Sequence, residues 1–363
     1  MAVSAMSSRR IAPENVASAC YFRSSTEGAE RKALVQITER CNLHCAHCFV
    51  SAGREGLDME LARIESELLP RLADARVGRV TLTGGEPFAH PELLEIVSLA
   101  RGKGMAVTIC TNATLIAPSA LEDLQALGGV KLNVSLDGFS AQSHGKFRGA
   151  PESFAETVET MRSLGERGLL KGVLVTPNRL AAAEEYEELC RFARECGAEY
   201  VLMNPLSSLG RGVAGVKRLG APEEFMRALA ADTAPFEEEI EMVRIRFPND
   251  ELPLSACEAG TILYVFADGA LTVCPYLVFA ARTPRSRHDP ADFIVGNVFE
   301  HADIAERLDA YPIETRVKER SDPVCTSCQM ADGCGRGCPA AVIASGGTVG
   351  ERDREQCPIE VAA

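Results

Sequence analysis

The sequence contains no Trp and no stretch approaching the ~20 apolar residues that a membrane span requires. Its first residues, MAVSAMSSRRIAPENVASACYF, hold no apolar run long enough for a secretory signal. These absences predict a cytoplasmic chain with no membrane partner. Positive charge is also scarce: 38 Lys and Arg stand against 51 Asp and Glu, a net of −13, and no Lys/Arg cluster forms a basic groove. Such a surface repels phosphate backbones, so no nucleic-acid partner is expected. Internal repeats and low-complexity tracts are missing as well. With 46% hydrophobic and 25% charged residues over 363 positions, the chain reads as a globular protein of roughly two domains of ~150 residues. What it has in excess is cysteine, fourteen in all. A reducing compartment rarely keeps disulfides, so metal or iron-sulfur ligation is the economical use of so many thiols.

Between about residues 33 and 204, short β-rich runs alternate with longer helical stretches, the pattern of βα units around a parallel sheet. Strands are predicted over 33–38, 79–83, 105–110, 130–136, 172–176 and 200–204, mostly apolar runs of the kind buried on both faces. Helices are predicted over 91–103, 151–167 and 181–196. Pro91 and Pro151 suit first-turn positions, and Gly104 and Gly168 suit helix ends, where a positive φ is often required. The fold class is therefore α/β, a partial (β/α)6 TIM-like barrel. A closed barrel needs eight units, so the wall either stays open or is completed by later elements. The predicted organisation is an N-terminal extension (1–32), the barrel (33–204), a bridging segment (205–250) and a small Cys-rich domain (251–363). The bridge is read as a Gly-rich loop over 209–215, a helix near 222–231 and a strand over 242–247.

Directly after the first strand stand Cys41, Cys45 and Cys48, with gaps of three and two residues, on a loop at the strand's C-terminal end. Active sites of βα barrels are built on that face. Three close thiolates suit a four-iron cubane and leave one iron without a protein ligand, open to a substrate or cofactor. The competing reading is a closed zinc site made of these thiols and His44 or His47. After the second strand comes Gly84, Gly85, Glu86, Pro87. There, adjacent glycines allow close backbone approach, and the carboxylate can accept from an ammonium group.

These two motifs resemble the radical S-adenosylmethionine (radical SAM) superfamily, whose CxxxCxxC loop and GGEP turn are present in Cys41 to Cys48 and Gly84 to Pro87. The resemblance extends to Thr111 and Asn112, to Ser135, Leu136, Asp137 and Gly138, and to His144 and Arg148. It implies one radical-generating cluster on Cys41, Cys45 and Cys48, whose open iron chelates S-adenosyl-L-methionine. Gly84, Gly85, Glu86 and Pro87 would then hold the amino end. Asn112, Ser135, Asp137 and Arg148 would contact the ribose and carboxylate. His47 stands where the family usually carries an aromatic residue beside the adenine. An external one-electron reductant such as flavodoxin or ferredoxin would drive cleavage to a 5′-deoxyadenosyl radical that removes hydrogen from substrate.

The second set of thiols is Cys257, Cys274 (four residues after Gly269), Cys325, Cys328, Cys334, Cys338 and Cys357. This order resembles the SPASM extension of radical SAM enzymes, which carries two auxiliary iron-sulfur clusters. By that resemblance, Cys325, Cys328, Cys334 and Cys357 enclose the outer cluster. Cys257, Cys274 and Cys338 hold the inner one, which then lacks one protein thiolate. A zinc ribbon is the plain alternative, but seven Cys cannot complete two four-thiolate zinc sites. Of the remaining thiols, Cys190 and Cys196 are read as buried packing residues, Cys110 at the mouth as core packing with lining of the cofactor pocket as the alternative, and Cys20 carries no signal. Glu184, Glu185, Glu187 and Glu188 are read as a solvated helix face, Arg211 as either an anion contact or a surface loop residue, and Tyr276 and Asp268 as proton acceptors.

The expected function is an oxidoreductase that oxidises or crosslinks a peptide or protein side chain. Only about thirty residues precede the first strand, too few for the winged-helix recognition domain of many peptide-modifying relatives. A separate peptide-recognition protein is therefore part of this reading. A dehydrogenase or epimerase of a small polar metabolite, such as an aminocyclitol or sugar nucleoside, is the alternative.

Overall fold

A computed structural model of the chain describes residues 15–21, 30–319 and 321–359. Most of the expected N-terminal extension, 1–14 and 22–29, lies outside the described residues. The fold is mixed α/β around one ten-stranded sheet of order β10-β9-β8-β1-β2-β3-β4-β5-β6-β7.

The six predicted strands are β1 (Arg31–Thr38), β2 (Val77–Gly84), β3 (Ala106–Thr111), β4 (Val130–Ser135), β5 (Leu170–Val175) and β6 (Tyr200–Met203), all parallel. Their inward apolar residues, among them Val35, Ile109, Leu132, Val134 and Val173, are at most 1% exposed. Burying each such side chain stabilises the sheet by ~1.5–3 kcal/mol, which is why near-continuous apolar runs select a doubly covered parallel sheet. The covering helices include Leu93–Gly102, Ser153–Glu166 and Ala183–Glu195. Gly104 and Gly168 take φ values of 79° and 63° where the chain leaves two of them. The last of these helices buries Tyr186, Leu189, Cys190, Phe192 and Ala193.

Six strands are too few to describe the wall. β7 (Glu241–Arg244) adds a parallel strand beside β6, and β8 (Ile262–Val265) adds one beside β1. The sheet thus crosses both ends of the segment expected as a bridge. β9 (Ala270–Thr272) and β10 (Ile294–Asn297) continue it antiparallel, so the sheet is open, with β7 and β10 at its edges. In the bridge, the expected Gly-rich loop over 209–215 ends early, because a helix begins at Gly212 and runs to Leu219. The next helix is Glu223–Thr233.

A short N-terminal strap, 15–21, lies against the Cys-rich region. Ala17 bridges Leu254, and its amide donates to Pro253 O at 2.9 Å. Among the described residues no helix is long and apolar enough to cross a membrane.

Candidate active site

The C-terminal ends of β1 to β5 bring the predicted residues to one mouth. The Cys loop leaves β1 under tight control. Arg40 pairs with Asp58 (Nη2 to Oδ2 2.6 Å) and donates to Ala89 O at 2.8 Å, while Cys41 N donates to Gly53 O at 2.6 Å. Arg211 grips the far side: its Nε and Nη1 donate to Cys45 O and Ala52 O at 2.9 and 2.6 Å, and its amide to Cys48 O at 3.0 Å. Its guanidinium is therefore spent on the loop backbone rather than extended toward an anion or left on a free surface loop. Leu43 N points at Cys41 Sγ from 3.4 Å, and Arg148 Nη1 lies 4.0 Å from Cys45 Sγ. Donors of this kind stabilise thiolate and tune a bound cluster.

The GGEP turn packs directly beneath this loop. Gly85 N donates to Thr38 O at 2.9 Å and Glu86 N to Arg40 O at 2.8 Å. A Cβ on Gly84 would lie 2.2 Å from Thr38 O, and one on Gly85 2.1 Å from Arg40 O. Both glycines are thus demanded by the closeness of two backbones, and the amides of Gly85 and Glu86 are already used. The Glu86 carboxylate, 1% exposed, accepts from Thr111 Oγ1 (2.6 Å), Asn112 N (2.7 Å) and Phe88 N (3.1 Å). It caps the one-turn helix Pro87–Ala89 and fixes the β3 exit. Burial pushes its carboxyl above the usual range despite these donors. Asn112 donates in turn to Asn42 Oδ1 at 3.0 Å, tying β3 to the Cys loop.

From β4 comes a second polar group. Ser135 ends the strand, and Asp137 follows it, fully buried, with Oδ2 2.8 Å from Arg148 Nε and Oδ1 accepting from Thr176 N at 2.7 Å. Burial raises the Asp137 carboxyl, but Arg148, His47, His144 and the Thr176 amide together hold the group below its ordinary value. A π-helical turn, Ala141–Gly145, followed by Lys146–Arg148, swings His144 and Arg148 inward; such turns recur at functional sites. His144 Nδ1 accepts from Asp137 N at 3.0 Å. His47 stacks on Phe147 with centroids 4.5 Å apart and planes 6° from parallel, and its Nε2 lies 3.9 Å from Asp137 Oδ2. Burial lowers both imidazoles, His47 to about 4 and His144 to about 3, so both are neutral at pH 7. Glu185, expected on a solvated face, turns in to accept from Phe139 N at 2.8 Å and from Ser143 Oγ.

Behind the mouth, the seven C-terminal thiols fall around two separate cavities. Cys325, Cys328, Cys334 and Cys357 line one of them. Met330 N and Arg336 N approach Cys328 Sγ and Cys334 Sγ at 3.4 Å each. Cys257, Cys274 and Cys338 line the other, together with Cys20, Tyr21 and Tyr276. Cys338 takes a hydrogen bond from Cys20 and lies near Arg246, and its thiol is lowered to about 7. Tyr276 is buried between Tyr21 (4.9 Å) and Phe49 (5.4 Å), with its hydroxyl pushed well up by burial, so it is no proton acceptor at neutral pH. Asp268 accepts from Ala270 N at 3.0 Å and serves the β8–β9 turn.

The donor sets fit iron-sulfur clusters. Four thiols surround one space, and three with Cys20 surround the other. At the mouth, His47 Nδ1 is buried without a hydrogen-bond partner, an atom that a bound cofactor could satisfy. Burial pushes the Cys41 thiol to about 11 and Cys45 to about 12, so metal must displace protons when it binds. Arg40, Asp58 and Cys20 are not singled out by the motifs, and of these Arg40 alone has a signal, its place beside Cys41.

The chain thus carries a thiol loop and a GGEP turn at the C-terminal mouth of an open parallel α/β barrel. Residues 35–198 match the Radical SAM superfamily. The chain is 26% identical over 303 residues to the antilisterial bacteriocin subtilosin biosynthesis protein AlbA of Bacillus subtilis, covering 83% of this chain and 64% of AlbA, less than two thirds of that relative's length. It is 26% identical over 323 residues to the mycofactocin maturase MftC of Mycobacterium ulcerans, covering 86% of this chain and 83% of MftC. The fold resembles the crystal structure of Streptococcus suis SuiB bound to the precursor peptide SuiA, with a TM-score of 0.68 at 19% identity over 87% of this chain and 73% of SuiB.

Proposed function

We propose that this chain is a radical SAM/SPASM peptide maturase that oxidises or crosslinks a peptide or protein side chain. The observation that carries the reading is the placing of ten thiols: three on a braced loop at the barrel mouth, and seven around two cavities behind it. The names of AlbA, a bacteriocin biosynthesis protein, and MftC, a maturase, support a peptide substrate.

In this reading Cys41, Cys45 and Cys48 hold the cluster that binds S-adenosylmethionine, and Gly84 to Pro87 set the backbone against which the cofactor's amino end rests. Bound there, the cluster and cofactor supply one-electron cleavage of the sulfonium and a radical that takes hydrogen from carbon. Arg148, held by Asp137, presents positive charge beside Cys45 and toward an anionic carboxylate. Neutral His47, flat on Phe147, offers a planar uncharged face for adenine, while Asn112 and Ser135 lie within the same ring of strand ends. Buried Leu43, Phe147 and Leu206 exclude water from that side of the mouth. The barrel over 33–204 and the connecting 205–250 carry this chemistry. The seven thiols of region 251–363 would hold the two auxiliary clusters, which would supply one-electron acceptor chemistry there. Flavodoxin or ferredoxin supplies the reducing electron, and a separate recognition protein delivers the peptide.

The test compares peptides and small metabolites, by mass spectrometry, in cells producing the wild-type chain or Cys45→Ala. Peptide maturation predicts a peptide lighter by the mass of two hydrogen atoms only with wild type. A difference confined to a small polar metabolite would replace this reading with the dehydrogenase alternative.

A further inference from the structure

We propose that Cys20, from the N-terminal strap, is the fourth protein thiolate of the inner auxiliary cluster, and that this cluster is therefore closed to substrate. The inference rests on the auxiliary-cluster reading above. The three thiols of the inner set, Cys257, Cys274 and Cys338, leave one iron of a four-iron cluster without a protein ligand. Cys20 lines the same cavity, is 3% exposed, and is in side-chain hydrogen-bonding contact with both Cys257 and Cys338. Its Sγ lies 3.3 Å from Gly337 O and 3.6 Å from Ala256 O, the carbonyls just before Cys338 and Cys257. Those bonds place the sulfur between the two loops that carry its partners.

The strap is fixed in a way that simple packing of a small apolar side chain does not require. Ala17 exchanges backbone hydrogen bonds with the 253–255 segment, its amide to Pro253 O and its carbonyl from Ser255 N, each 2.9 Å. Ala19 N donates to Ser255 Oγ at 3.1 Å. Arg246 N donates to Ser18 O at 2.7 Å, and Arg246 Nη1 to Ala19 O at 2.9 Å. The same guanidinium lies 5.0 Å over the Tyr21 ring and pairs with buried Asp353, whose Oδ2 accepts from Cys338 N at 3.1 Å. One buried ion pair therefore sets the residues flanking Cys20 and the amide of Cys338 together. Ordering an extended strap costs conformational entropy, and these hydrogen bonds before Cys20, with the Arg246 contact on Tyr21 after it, offset that cost at a residue whose sulfur shares its cavity with three other thiols. An inner cluster held by four thiolates has no iron free for a substrate atom, in contrast with the cluster at the mouth.

The experiment uses the full chain carrying Cys41→Ala, Cys45→Ala and Cys48→Ala, so that only auxiliary clusters contribute iron. This parent is compared with versions that also carry Cys20→Ala or Cys20→Ser, each reconstituted without oxygen. Iron and sulfide are counted, and Mössbauer and reduced-state electron paramagnetic resonance spectra are recorded with and without excess imidazole as an exogenous ligand. The proposal expects about eight irons in the parent, two clusters of four, and spectra indifferent to imidazole. With Cys20→Ala, either about half of that iron is lost or one of the two clusters becomes imidazole-sensitive. With Cys20→Ser, one cluster's spectrum shifts. Imidazole sensitivity in a parent with full iron would overturn the proposal without any new variant. So would spectra of both clusters unchanged by Cys20→Ala. A parent without auxiliary iron would instead overturn the cluster reading itself, and this inference with it. Cys196→Ala, which removes a buried thiol from the end of an outer helix, controls for loss of a cysteine alone and should change nothing.

Discussion

Gly85→Ala probes the closest approach in the site. An added Cβ would stand 2.1 Å from Arg40 O, 2.5 Å from Arg40 C and 3.0 Å from Cys41 Cβ. The obstacle is backbone, so no rotamer change relieves it, and the turn and the Cys loop must separate by about 1 Å to reach ordinary contact. That separation pulls on the hydrogen bonds from Gly85 N and Glu86 N to Thr38 and Arg40, while Arg40 is anchored on its far side by Asp58 and Ala89. Overpacking of this kind costs ~1–3 kcal/mol. In a chain of this size each kcal/mol lowers the melting temperature by about 1–2 °C. The larger effect is on chemistry, since reactive groups tolerate misplacement of only ~0.5 Å and a 1 Å error costs on the order of 100-fold in rate. The assay is formation of 5′-deoxyadenosine by anaerobically reconstituted protein, beside iron content and thermal melting. Gly102→Ala is the control, because a Cβ there meets nothing within 4 Å, and it should be neutral or slightly stabilising. A Gly85→Ala protein with wild-type melting, cluster content and rate would refute the reasoning.

Arg148→Met removes the partner of a buried carboxylate whose Oδ2 lies 2.8 Å from the guanidinium, and should cost ~3–5 kcal/mol in denaturant unfolding; a loss under ~1 kcal/mol would contradict the ion pair's role. The cluster-free chain should lose stability as pH falls from 6.5, the ordinary value for histidine, toward 4: the unfolded chain then binds protons that buried His47 and His144 refuse. His47 contributes about 3 kcal/mol of this at most, so His47→Phe should flatten the slope of melting temperature against pH, and an unchanged slope would count against its burial. Cys328→Ala, which opens the outer cavity, should leave some cleavage of S-adenosylmethionine but no finished product; normal product yield would remove the outer cluster from the proposed mechanism.

Much of the barrel was legible because its strands are apolar runs punctuated by Gly and Pro, and each of the six was placed within about two residues. The wall's seventh and eighth parallel strands were not. The strand predicted over 242–247 appears as β7, but pairing with β6 is a tertiary fact, and the four-residue ILYV of β8 is too short to announce itself. At the site, thiol spacing and the GGEP turn are local patterns, readable without a fold. Cys20 has no neighbouring motif, and the residues it touches lie 236 and 317 positions away. Arg211 was noticed, but only folding shows that its side chain reaches Cys45 and Ala52, across 166 and 159 positions. Glu185 looked like one charge in a solvated run because a helical wheel does not record that the β4 exit offers it an amide and a hydroxyl.

The most direct measurement is 5′-deoxyadenosine released when the anaerobically reconstituted full chain is mixed with S-adenosylmethionine and a one-electron reductant. The account predicts its formation by wild type and its loss in Cys45→Ala. Equal release from both proteins, or none from a wild type rich in iron and sulfide, would contradict a cluster on Cys41, Cys45 and Cys48 as the source of the chemistry.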